Sequence, residues 1–79
     1  MKIDKKALYE ARYPAGTIVE LTEPIDDPYG GSKPAGARFK VNSVDSMLQL
    51  QGHWLPPASG SIAIIIEEDS FRVVAEDEL

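Results

Sequence analysis

Residues 23–36 read Glu-Pro-Ile-Asp-Asp-Pro-Tyr-Gly-Gly-Ser-Lys-Pro-Ala-Gly and hold three of the chain's six prolines and three of its six glycines. Proline removes a backbone donor, and glycine carries an entropic cost in any regular element. Neither a helix nor a central strand can run through this stretch. The apolar segments on either side must therefore form separate elements, joined by a loop that is either functional or loosely ordered.

Around this loop the apolar residues recur with a period of two, the signature of half-buried strands. Residues 17–22 put Val19 and Leu21 on one face and Ile18, Glu20 and Thr22 on the other. Residues 37–44 form a second strand, with Phe39 and Val41 together, and Asp45-Ser46 reads as a tight turn. In residues 47–54, Leu48, Leu50 and Trp54 share a face opposite Gln49, Gln51 and His53. Gly52 interrupts that row and marks a bulge or a close backbone approach. A loop with Pro56-Pro57 leads to a fourth strand at residues 61–66, an acidic turn at 67–70 and a short fifth strand at 71–74, with Phe71 and Val73 paired.

Ahead of the strands, residues 1–12 read as a short helix with Ile3, Ala7, Leu8 and Ala11 on one stripe. Asp4 is placed to cap it, and Pro14 and Gly16 stop it. A helix this short needs something to dock on. It is either a lid over an open end of the core or an arm that binds a partner. The organisation is thus a helical arm at 1–12, a β domain at 13–74 and an acidic tail at 75–79 that is expected to fray. Five short strands without helix–strand alternation predict a small antiparallel barrel closed by the last strand.

Composition narrows function. The 79 residues make one domain, 43% apolar and clustered as in a folded chain. There is no cysteine, which excludes disulfides, thiolate metal sites and cysteine catalysis and suits a reducing cytoplasm. No run approaches the roughly 18 apolar residues of a membrane span, and no signal peptide is expected. Net charge is −5 and uneven. Residues 1–16 carry four cations and two acids, a net of +2; residues 17–79 carry four cations and eleven acids, a net of −7. Such a body repels phosphate backbones, so nucleic-acid binding is disfavoured.

A series of short motifs also stands in a particular order. It runs Tyr13-Pro14-Ala15-Gly16-Thr17, Val19-Glu20-Leu21, Asp27-Pro28-Tyr29, then Pro34, Gly36 and Arg38, then Val44-Asp45. Trp54, Gly60-Ser61 and Asp69-Ser70-Phe71-Arg72-Val73 complete it. Over residues 13–74 this resembles the family called domain of unknown function 4314, small proteins of bacteria, bacteriophages and mobile elements. The resemblance implies an SH3-like barrel and no established enzyme activity. The chain departs from the family pattern at Ile18, where a basic residue is usual, and at Phe39-Lys40-Val41, where Gly-Thr-Val is usual. It is also about two residues longer around Pro56-Pro57.

In an SH3-like barrel the long first loop lines one side of a ligand groove. Asp26, Asp27 and Tyr29 have two readings there. Either an aspartate caps a turn while Tyr29 packs back on the barrel, or Tyr29 forms a groove wall with acids at its rim. Trp54 is either core or an aromatic platform. His53 is alone, and a metal site needs three or four ligands. The acidic clusters do not fit a calcium loop, and Gly30-Gly31-Ser32-Lys33 lacks phosphate-loop spacing. No nucleophile with its base is visible, so no enzyme activity, cofactor or metal is expected. The leading expectation is a non-catalytic module binding a protein or peptide through Asp26, Asp27, Tyr29, Trp54, Pro56 and Pro57, in a bacterial or mobile-element system. The alternative is an acidic inhibitor that mimics nucleic acid. An assembly accessory acting through the N-terminal helix is a third reading.

Overall fold

The computed structural model describes residues 4–29, 31–60 and 62–78. Helix α1 spans Lys5–Arg12, and Asp4 caps it as expected, its Oδ1 accepting the Ala7 N–H at 3.2 Å. The docking face, however, is not the aliphatic stripe. Ala7, Leu8 and Ala11 face solvent, with Leu8 45% exposed, and Ile3 lies outside the described residues. The helix sits down instead through Tyr9 and, just beyond its end, Tyr13. Their rings stack at 6.3 Å, Tyr13 meets Phe71 at 5.5 Å, and the Tyr9 hydroxyl donates to Glu67 at 3.1 Å. Lys5 donates to the same carboxylate oxygen at 3.1 Å. A tyrosine offers more apolar area than alanine or leucine and a polar tip that reaches a partner, so the aromatic side wins the contact. In this position α1 packs against β2 (Arg38–Val44).

The other strands are β1 (Ile18–Leu21), β3 (Gln49–Trp54), β4 (Ile64–Ile65) and β5 (Phe71–Val73). They form one antiparallel sheet in the order β4-β3-β2-β1-β5. Val19 and Leu21 face the core, as do Phe39 and Val41, following the predicted alternation. Phe39 lies opposite both Val19 and Trp54. After Val41 the register shifts before Ser43, so Asn42 is an extra residue and Val44 returns to the buried face. The irregularity expected at Gly52 is therefore shared. The bulge is on β2, and Gly52 is the point of close approach: a Cβ there would run into the Lys40 carbonyl and lie 3.0 Å from the Phe39 ring.

The β2–β3 connection is longer than the predicted two residues. Asp45 Oδ1 accepts the N–H groups of Met47 and Gln49, each at 2.9 Å, and Oδ2 accepts from the Gln51 side chain at 2.7 Å. Leu48 sits in the left-handed region at φ 59°, so it turns the chain and does not extend β3. The Gln49 N–H, the Gln51 amide and the Met47 N–H hold the Asp45 carboxyl below its ordinary value of 3.8. Glu20, beside Arg38 and Arg72, and Glu67, beside Lys5, are likewise held below 4.5. The stabilisation from these depressed groups is complete above their ordinary values and is lost as pH falls through the lower folded-state values. The urea midpoint should accordingly fall as pH drops below about 4. Asp45→Asn should lower the midpoint at pH 7 and give a shallower acid limb, so that the two curves converge at low pH; parallel curves would remove Asp45 from this account.

Two further expectations are corrected. The fourth strand is reduced to Ile64–Ile65, since Ile62 turns its carbonyl to the Trp54 indole N–H at 3.0 Å; Ser61 lies outside the described residues. The sheet also does not close into a barrel. β5 pairs with β1 alone, and β4 ends in a turn whose Asp69 accepts the Ile65 N–H at 2.8 Å and donates its own N–H to the Ile65 carbonyl at 2.8 Å. With those groups capped, β4 offers β5 no ladder there. The acidic tail contains a short 3-10 turn, Glu76–Glu78, in which Glu78 accepts from the Ala75 N–H at 2.8 Å and pairs with Arg72 at 2.9 Å.

Candidate functional site

The long loop is a stapled hairpin. Ile25 and Lys33 exchange backbone hydrogen bonds at 2.8 and 2.9 Å. Inside that bridge Asp27 organises the tip. Its carboxylate accepts the N–H of Tyr29 at 2.9 Å and of Gly31 at 3.1 Å, and its own N–H donates to Ser32 Oγ at 2.9 Å. Gly31 is required here, because a Cβ would meet the Asp27 carboxylate and lie 2.6 Å from Ile62. Of the two readings of Asp27, turn construction is the one observed. Neither reading of Tyr29 holds. It is 94% exposed at the tip and lines neither of the two depressions described below.

Lys33, which the sequence offers only as part of a false phosphate loop, is the staple. It is 7% exposed. Its ammonium donates to the Gly31 carbonyl at 2.9 Å and lies 5.5 Å from the centre of the Trp54 ring, a cation–π distance. Trp54 itself is 5% exposed, edge-on to Phe39 at 5.0 Å, with its indole N–H bound to Ile62. It is therefore core and not a ligand platform. Phe39, Trp54 and Lys33 together tie the loop to the sheet.

The remaining candidates lie at two depressions. One is an apolar groove of about 500 Å³ between residues 34–38 and 55–58, lined by Pro34, Ala35, Leu55, Pro56 and Pro57, with Arg38 at its side. The Pro56–Pro57 bond is cis. Arg38 is turned to Glu20 at 3.1 Å, which leaves the groove's character apolar. The other is a cleft of about 360 Å³ between the base of the hairpin and β4, with Asp26 and Asp27 on its wall. The six residues predicted to make one surface thus lie in four settings: Pro56 and Pro57 in the groove, Asp26 and Asp27 at the cleft, Tyr29 on the bare tip, Trp54 inside. His53 is exposed opposite Lys40. Among the described residues no group of three or more histidines or acids is placed to hold a metal ion, and no helix is long and apolar enough to cross a membrane.

A small, mostly β domain on a single antiparallel sheet, with a lysine-stapled hairpin between its first two strands, is the class these features define. Residues 5–74 match the family described as Domain of unknown function (DUF4314), and the chain belongs to it. The match begins at the first residue of α1, so this helix lies within the family's domain. Neither a curated protein nor a solved structure matches the chain.

Proposed function

We propose that this domain is a non-catalytic module of SH3-like design that binds a protein or peptide segment. The observation that carries the reading is the apolar groove between residues 34–38 and 55–58. Its volume is in the range of specific binding sites, and its prolines have little conformational freedom to lose when a ligand docks. Its lining contains no nucleophile and no acid–base pair, which favours recognition over chemistry. The strand order and the long loop after β1 are those an SH3-like roll would have, and the absence of cysteine suits work in a reducing cytoplasm. The mobile-element setting follows from the family resemblance alone.

A nucleic-acid mimic needs free carboxylates in rows. Glu20, Asp27, Asp45, Glu67, Asp69 and Glu78 are each held by a cation or an N–H of their own chain, so this second reading has less to rest on. To test the first, a random peptide library would be selected on the immobilised protein. A consensus sequence is expected whose affinity falls at least about tenfold, roughly 1.4 kcal/mol, on Ala35→Glu, an exposed position that leaves the core untouched. Selection without a consensus, or a consensus indifferent to A35E, would rule the groove out as the binding surface.

A further inference from the structure

We infer that the second cleft takes an extended segment of a partner protein in which a lysine or arginine stands between apolar residues. This rests on the reading of the domain as a binding module and adds the chemistry of the partner. The cleft is floored by Ile25, Ile62, Ala63 and Ile65, all only half-buried. Three isoleucines left partly open together in so small a domain make a patch of the kind that marks interaction sites. No lysine or arginine lines the cleft.

Four acids do line it, with unequal freedom. Asp27 and Asp69 are engaged by backbone N–H groups. Asp26 and Glu68 are exposed on the two sides, and no described residue forms a side-chain hydrogen bond or ion pair with either. An apolar floor between two free carboxylates complements a segment that is apolar and cationic, and it repels an acidic one.

The backbone supplies the register. Ile66 donates across the sheet to Leu48, while Ile65 turns its N–H and carbonyl outward to Asp69. Strand alternation gives Ala63 the outward orientation of Ile65. The Ala63 N–H and carbonyl bond to no described residue, so an incoming strand can form a reciprocal pair there. Strand addition of this kind fixes direction through the main chain and specificity through alternate side chains.

The test titrates the full chain into a fluorescein-labelled peptide of alternating valine and lysine, read by anisotropy at physiological salt, with amide chemical shifts recorded in parallel. Saturable binding is expected, with a shift of the Ala63 amide. Asp26→Asn combined with Glu68→Gln should weaken it by roughly five- to tenfold, as expected for two exposed ion pairs. Neither residue holds the fold together, and circular dichroism would confirm that the variant is folded. A valine–glutamate peptide should not bind. Equal binding of the glutamate peptide, an unmoved Ala63 amide, or an affinity indifferent to the double variant would overturn the assignment. If the valine–lysine peptide fails while the library-selected peptide still binds the proline-lined groove, this inference falls and the binding-module reading stands. If neither binds, both fall.

Discussion

Gly52→Ala is expected to unfold the domain or bring it close to unfolding. Gly52 lies opposite Val41 on the β2–β3 ladder, and the space its missing side chain would occupy is filled by the Lys40 carbonyl and the edge of the Phe39 ring. The first obstacle is backbone. It cannot swing aside as a long side chain would, so a methyl group forces the two central strands apart or tilts the ring that packs against Trp54. Overpacking of a close-packed interior typically costs 1–3 kcal/mol, occasionally more, and with main chain as the obstacle about 3 kcal/mol or more is expected. A domain of this size has a thin margin, and each kcal/mol moves its Tm by roughly 4–8 °C. Thermal and urea unfolding followed by circular dichroism would read this directly. A Tm within a few degrees of the parent's would show that the strands tolerate a wider spacing at Gly52.

Trp54→Ala is the second large effect, and it separates core from platform. The substitution removes the partner of Phe39, the face beside the Lys33 ammonium and the donor that holds the Ile62 carbonyl. Loss of a buried tryptophan costs about 3–5 kcal/mol, which is most of what a small domain has. Trp54→Phe keeps a ring but leaves the Ile62 carbonyl without its donor, a loss of roughly 1–3 kcal/mol. The expected order of stability is parent, then W54F, then W54A, with the long loop loosening before the sheet melts. A W54A protein that folds as well as the parent but fails to bind would return Trp54 to the surface.

These two residues also show how far the sequence could be read. Alternation located the buried faces of β1 and β2 because Glu20 separates Val19 from Leu21 and Lys40 separates Phe39 from Val41. It could not reveal the bulge, since Asn42 and Ser43 are both polar and a polar pair reads alike with or without an extra residue. Leu48 looked like a strand residue, but Asp45 gathers the turn's N–H groups and sets the backbone there. The helix is legible in its cap and in its end at Arg12 but not in its docking side, because periodicity counts aliphatic residues and the contact is made by tyrosines. Turn chemistry pointed to Asp27, whereas Lys33 gave no signal. Its burial depends on the Gly31 carbonyl and the Trp54 ring, one of which any sequence would supply and the other more than twenty positions away. Barrel closure failed for a related reason, as it turned on the few hydrogen bonds by which Asp69 caps Ile65.

The burial of Lys33 has a consequence for chemical reactivity. An amine held between backbone carbonyls and an indole cannot meet an acylating reagent until the hairpin lifts away from Trp54. The surface amines of Lys5 and Lys40 meet it at once. The acylation rate of Lys33 therefore measures how often the loop opens, because local opening sets access to a protected group. The loop thus contains its own reporter of opening, and a ligand that bridges hairpin and sheet would be recognised by the slowing of a single amine.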